Sequence, residues 1–215
     1  MTDVKSEALR YLGYRGHTPD ETTAALLDRG YEELTAAAVM RSCHKIVSKS
    51  EAAPLLIGDD IAAHLAKSDR VIFFAATLGS AADGVIRRAE IANMAYALIL
   101  DALASAMTEE FCDRIEREIA AATEGFLTWR YSPGYGDYPI SVQPELIRFL
   151  NADKLIGLTA TESDILLPRK SVTAVIGVSD NEQERKVRGC AVCNLREKCQ
   201  FRKDGGHCGN SQGTA

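Results

Sequence analysis

The decapeptide Arg130-Tyr-Ser-Pro-Gly-Tyr-Gly-Asp-Tyr-Pro139 brings a guanidinium, two glycines and three tyrosines into one short stretch. A planar guanidinium at a strand end can clamp a carboxylate through two parallel hydrogen bonds. Glycines at 134 and 136 let backbone N–H and C=O groups come close to a small ligand. The rings of Tyr131, Tyr135 and Tyr138 offer flat faces on which a heterocycle can stack. The same residue types also build ordinary connecting loops, with Arg130 in a surface ion pair, so composition alone names no ligand.

A second stretch carries thiols. Cys190, Cys193, Cys199 and Cys208 follow the spacing C-x2-C-x5-C-x8-C. A C-x2-C pair puts two thiolates within reach of one ion, and two further cysteines complete a four-sulfur shell. Tetrahedral zinc and a 4Fe–4S cluster both suit such a shell, and reduced, unligated thiols in a tail remain the plain alternative. The N-terminus M-T-D-V-K-S-E lacks the apolar stretch of a signal peptide, so a cytoplasmic location is expected and metal ligation is preferred to disulfides. Elsewhere the chemistry is sparse. His17, His44 and His64 are scattered without metal-ligand spacing, Cys43 and Cys112 read as small apolar residues, and Glu109 and Glu110 read as the solvated face of a helix. There is no phosphate loop, no G-x-G-x-x-G, no G-x-S-x-G and no H-E-x-x-H.

Apolar residues make up 46% and charged residues 26% of the 215-residue chain, an ordinary globular composition that excludes disorder throughout. No uncharged apolar run reaches the length of a membrane span. The net charge of −5 is uneven, because residues 181–215 carry seven Lys/Arg against four Asp/Glu. The remainder is therefore markedly acidic, which argues against a nucleic-acid partner.

These segments need elements to hold them. Residues 3–12 read as a short helix, and Thr18-Pro19-Asp20-Glu21 as a second helix start with a hydroxyl cap and Pro in the first turn. Residues 43–47 suit a strand, and Gly58-Asp59-Asp60 opens a helix with Ile61 and Leu65 on one face. Residues 70–77 are a buried strand by their β-branched and aromatic content, followed by a turn at Gly79 into another helix. One long helix is expected over 90–122 and a strand over 126–130. A Pro144-initiated helix runs to Leu150, and strands follow at 164–167 and 172–178. From Ser179 the composition shifts to charge, Gly and Cys. The expected organisation is thus a folded domain over 1–178 and a Cys-rich, metal-binding tail over 179–215.

The Arg130–Pro139 segment resembles the S-adenosylmethionine-binding loop, with its R-x-x-P-G-Y core, of the activation (reactivation) domain of cobalamin-dependent methionine synthase. Ala76-Thr-Leu-Gly-Ser-Ala-Ala-Asp83, Leu100-Asp-Ala-Leu-Ala-Ser105 and Gln143 resemble it too. So do Ile156-Gly-Leu-Thr-Ala-Thr-Glu162-Ser163 and Pro168-Arg-Lys-Ser171-Val-Thr-Ala174, which match the family's L-T-E-S and S-V-S-G stretches. The resemblance covers roughly residues 70–178 and leaves out the Cys tail. It implies an α/β (α+β) fold whose twisted, mostly antiparallel sheet is flanked by helices, with a ligand site in a shallow groove. It further implies that Arg130 grips the ligand's methionyl carboxylate, that Ser132, Gly134 and Tyr135 line the ligand, and that Glu162 and Ser163 lie nearby. Where the family places an acidic ligand contact on the long helix, this chain has Ser105, with Glu109 one turn later. The family's tyrosine beyond S-V-S-G has no counterpart in residues 175–180.

The function implied is that of an accessory component in cobalamin-dependent methyl transfer. It would bring S-adenosylmethionine to the cob(II)alamin of a cobalamin-binding methionine synthase module or another corrinoid protein, for reductive methylation. No cobalamin-binding D-x-H-x-x-G loop occurs, so the corrinoid belongs to the partner, and the electron to a flavodoxin- or ferredoxin-type reductant. Two rival readings stand beside it: an iron–sulfur electron-transfer protein serving a corrinoid partner, and a non-catalytic binding scaffold.

Overall fold

The computed structural model describes residues 3–14, 17–181, 197, 198 and 203. The chain divides into two compact units, Met1–Asn181 and Glu182–Ala215. In the first, α1 (Val4–Tyr11) and α2 (Glu21–Ala37) lead into β1 (Arg41–Ser48), α3 (Lys49–Ala52) and α4 (Asp59–His64). Then come β2 (Arg70–Thr77), α5 (Ser80–Ala92), α6 (Met94–Ala122) and β3 (Phe126–Leu127). The unit closes with α7 (Gln143–Leu150), α8 (Ala152–Ile156), β4 (Thr159–Ala160), β5 (Leu166–Leu167) and β6 (Ser171–Ser179). A four-stranded sheet has the order β1-β2-β6-β3, each pair antiparallel, and β4 and β5 form a small hairpin.

The core explains the layering. Every residue of β2 after Arg70 is buried, because the strand sits in the middle of the sheet with both faces covered. Val71, Phe73 and Ala75 pack with Val175, Tyr131, Tyr138 and residues of α4, α7 and α8 on one face. Ile72, Phe74 and Ala76 pack with Ala174, Ile176 and Val178 against Phe111, Cys112, Ile115 and Ile119 of α6 on the other. The first half of α6 contributes instead to a helical core with α1, α2 and α5. At 29 residues this helix is about 44 Å long at 1.5 Å per residue, which is why it can serve both layers.

The strand expected over 164–167 pairs only at Leu166–Leu167 and that expected over 43–47 extends to Arg41–Ser48; three further boundaries differ from the sequence expectation, each for a local reason. The long helix is two helices, because Asn93 leaves helical geometry and its side chain accepts the Tyr96 N–H at 3.1 Å, starting α6 afresh. The cap of α2 is Asp20 rather than Thr18, its carboxylate accepting the Thr23 N–H at 2.7 Å. The strand expected over 126–130 pairs regularly only at Phe126 and Leu127. Leu127 pairs with Val178 and Tyr131 with Val175, so four steps along one strand oppose three along the other. One extra residue is accommodated between them, as in a β-bulge.

Candidate functional site

The bulge decides where Arg130 points. Leu127 packs on the α6 side of the sheet, whereas Trp129 packs on the opposite side with Tyr131. In an uninterrupted strand residues 127 and 129 would share a face. The extra residue reverses the alternation, so Arg130 is delivered to α6. There Nη1 donates to Glu116 Oε2 at 2.6 Å, and Nη2 donates to Asp113 Oδ1 at 2.7 Å and Glu109 Oε2 at 3.2 Å. Burial would lower the Arg130 pKa, but the charge of Glu116 and the hydrogen bond and charge of Asp113 outweigh it and the net shift is upward. The guanidinium is therefore charged at any working pH and sits in a net negative surrounding.

Glu109 is thus an ion-pair partner of Arg130, not merely a solvated helix residue. The acid one turn beyond Ser105 is one of three on α6 that meet the arginine. Ser105 itself accepts from Lys170 Nζ at 2.9 Å, and the same ammonium reaches Asp101 Oδ1 at 2.8 Å. Two cations from the strand layer therefore bracket one face of α6. A cleft of about 300 Å³ lies on the Lys170 side of that face, lined by Tyr11, Leu12, Leu98, Asp101, Ala102 and Ser105. The Tyr11 phenol is pushed up to about 12, by burial first and then by Glu7 and Glu109, so it remains a hydroxyl donor.

The loop after Arg130 is anchored at three points and open between them. Tyr131 is buried and exchanges backbone hydrogen bonds with Val175, both at 2.9 Å. Tyr138 is fully buried and donates its hydroxyl to Leu55 O at 2.9 Å. Asp137 reaches 78 residues back along the chain to cap α4, accepting the Asp59 N–H at 2.6 Å and the Asp60 N–H at 2.9 Å. Asp60 returns the contact by accepting the Asp137 N–H at 3.1 Å. Between these anchors, Gly134 has φ +93° with nothing within 4 Å of where a Cβ would stand, and the Tyr135 ring is 54% exposed. Gly136 is different: a Cβ there would fall on the Asp60 carboxylate and the Tyr131 hydroxyl. The loop is thus a tied platform with an exposed edge at residues 134–137. His64, Trp129, Tyr131 and Tyr135 form a chain of ring contacts beneath it, with centroids 4.5 to 5.9 Å apart.

Glu162 and Ser163 occupy the exposed tip of the β4–β5 hairpin. The tip is tied together by Thr161, whose Oγ1 accepts the N–H groups of Ser163 at 3.3 Å and Ile165 at 3.1 Å. Buried Gln143 fixes the hairpin to the sheet, donating to Asp164 O at 2.7 Å and accepting from Thr173 Oγ1 at 2.9 Å. Among the described residues no hydrogen bond or ion pair joins Glu162 or Ser163 to the Arg130 loop. Cys190, Cys193, Cys199 and Cys208 lie outside the described residues. Within those described, no group of three or more His, Cys, Asp or Glu side chains could hold a metal ion. Buried Cys112 has its thiol pushed up to about 12 and half-buried Cys43 to about 11, both chiefly by burial, which makes them poor ligands and poor nucleophiles. No described helix is long and apolar enough to cross a membrane.

The described unit is thus an α/β domain whose antiparallel sheet is flanked by helices, with an arginine held by three carboxylates on the α6 side and an exposed glycine-tyrosine loop anchored on the other. The chain belongs to the family of the vitamin B12 dependent methionine synthase activation domain, whose model matches residues 25–196. Among solved structures, the MetH reactivation domain bound to AdoHcy is similar with a TM-score of 0.53 and 14% sequence identity. That likeness covers 93% of this chain and 81% of the other, and it is a likeness of fold. No curated protein matches the sequence.

Proposed function

We propose that this chain binds S-adenosylmethionine at the Arg130–Tyr135 segment and presents its methyl group to a corrinoid held by another polypeptide or module. The observation that carries the reading is the platform itself, Gly134 with open space above it and Tyr135 with an exposed ring, in a chain of the activation-domain family. That the similar MetH domain is bound to AdoHcy supports it.

The electrostatics favour a ligand of mixed charge. Three carboxylates around one guanidinium would repel a bare carboxylate, whereas S-adenosylmethionine also carries an ammonium and a sulfonium. Its carboxylate takes the Arg130 fork, displacing Glu109 and Asp113, whose side chains are half exposed and lose least by returning to water. The displaced acids then face the ligand's positive groups. Ser132 and the Gly134 backbone lie along the rest of the ligand, and Tyr135 stacks on it. Glu162 and Ser163 join the site only if the hairpin tip closes over the ligand.

The chemistry is supplied by the reactants: the corrinoid gains one electron from a flavodoxin- or ferredoxin-type reductant, a cobalt–carbon bond forms, and the carbon–sulfur bond breaks to leave S-adenosylhomocysteine. The part played by this chain is position, for which no general acid or base is required. Cys190, Cys193, Cys199 and Cys208 are proposed to hold one zinc ion or one 4Fe–4S cluster, the latter able to relay that electron. The experiment is to mix the protein with a reduced cobalamin-binding module and S-adenosylmethionine and follow methylcobalamin by its absorption. Formation that depends on this chain supports the reading, and equal formation without it ends it.

A further inference from the structure

Pairing between β6 and the Arg130 strand is completed by a side chain where the bulge interrupts the ladder. Thr128 donates its own N–H to Gly177 O at 2.9 Å. Its hydroxyl then accepts the Gly177 N–H at 2.8 Å and donates to the Trp129 carbonyl at 3.2 Å. That carbonyl, turned out of the ladder, lies 2.9 Å from His64 Nε2, which must be the protonated nitrogen because a carbonyl only accepts. The Thr128 hydroxyl uses donor and acceptor capacity at once and stands where a strand carbonyl would otherwise be.

We infer that Thr128 is a positioning residue: its hydroxyl holds the bulge, and the bulge presents Arg130 to α6 and to the ligand. The inference rests on the proposed ligand role of Arg130 but is separable from it. Without the hydroxyl, the Gly177 N–H has no partner in a part-buried strand, and the remedy open to the chain is to restore regular pairing beyond Leu127. Regular pairing puts Trp129 on the α6 side and turns Arg130 to the other face.

The test compares Thr128→Val, which keeps the shape and removes the hydroxyl, with Thr128→Ser, which keeps the hydroxyl. Two readouts are taken: the Arg130 side-chain NεH resonance, assigned by its loss in Arg130→Lys, and calorimetric titration with S-adenosylmethionine. Thr128→Val should move or broaden the Arg130 resonance and weaken binding by about tenfold or more, as one lost buried hydrogen bond allows. Thr128→Ser should keep the resonance and bind within about threefold of the parent, a difference of about 0.6 kcal/mol. An unchanged Arg130 resonance in folded Thr128→Val overturns the inference, whatever the ligand does. Should Thr128→Val not fold, Thr128→Ala serves in its place, and a folded Thr128→Ser that loses the Arg130 resonance equally overturns it. If the parent protein binds no S-adenosylmethionine, the ligand reading fails while the resonance still decides the role of Thr128.

Discussion

At the scale of single residues, Arg130 is asked to do two things, and substitutions separate them. Arg130→Lys keeps a cation among Glu109, Asp113 and Glu116 but loses the fork. Affinity for S-adenosylmethionine should fall by about 1.5–3 kcal/mol, the range for charge-assisted hydrogen bonds, with thermal stability little changed. Calorimetry beside a melting curve reads both. Arg130→Ala removes the counter-charge from three carboxylates, and stability should drop by about 1–3 kcal/mol, less than for a fully buried pair because two of the acids are half exposed. The two loop glycines make a second contrast. Gly134→Val should stay folded and lose the ligand, since only open space meets its side chain, though φ +93° adds some strain. Gly136→Val should unseat the loop from Asp60 and show as a broad loss of stability in denaturant titration. Sequence distinguished neither glycine from the other, and it left Glu109 as solvent-facing. An acid on a helix face reads alike whether or not a cation arrives from a strand 21 residues later.

At the scale of elements, β2, β6 and the helices around them were legible because burial on both faces forces apolar, β-branched runs, and burial on one face forces a stripe. What escaped was set by partners distant in sequence. Nothing in Phe126-Leu-Thr-Trp-Arg130 signals a bulge, which exists only through the spacing of Val175 and Val178 opposite. Likewise Asp59-Asp60 suggested a local helix start, whereas the cap comes from Asp137 in the loop after Arg130. Coupling of cap and loop has a consequence. Asp137→Ala should cost about 0.5–2 kcal/mol as a lost N-cap and should also weaken ligand binding, because the loop loses an anchor. A stability loss with affinity untouched would mean the loop is held by Tyr131 and Tyr138 alone. For α1, the Glu7 carboxyl is held below the ordinary range, chiefly by the Arg10 hydrogen bond. A group whose folded pKa is depressed stabilises above its unfolded value, about 4.3 for Glu, and that contribution is lost as pH falls through the lowered value. Amide exchange in α1, relative to intrinsic rates, should therefore quicken at acid pH in the parent and change less in Glu7→Gln.

At the scale of the whole molecule, the sequence separates a chain with a core from a Cys-rich stretch with few apolar residues. Such a stretch takes a definite shape only if something other than burial supplies folding free energy, and metal–thiolate bonds can. Elemental analysis of anaerobically prepared protein should give about four irons with labile sulfide for a cluster, or one zinc for a structural knuckle. Neither metal after reconstitution would remove the metal centre from the proposal and leave the α/β domain unaffected. The proposed function rests on the α/β domain, where the Arg130–Tyr135 platform would take S-adenosylmethionine. Calorimetric titration of the full chain with S-adenosylmethionine, run alongside Arg130→Ala and Gly134→Val, tests it directly. Saturable binding at one site per chain, lost in both variants while each remains folded, is the expected result. No saturable binding by the parent up to about 1 mM, a free energy near −4 kcal/mol, or equal binding by all three proteins, would contradict it.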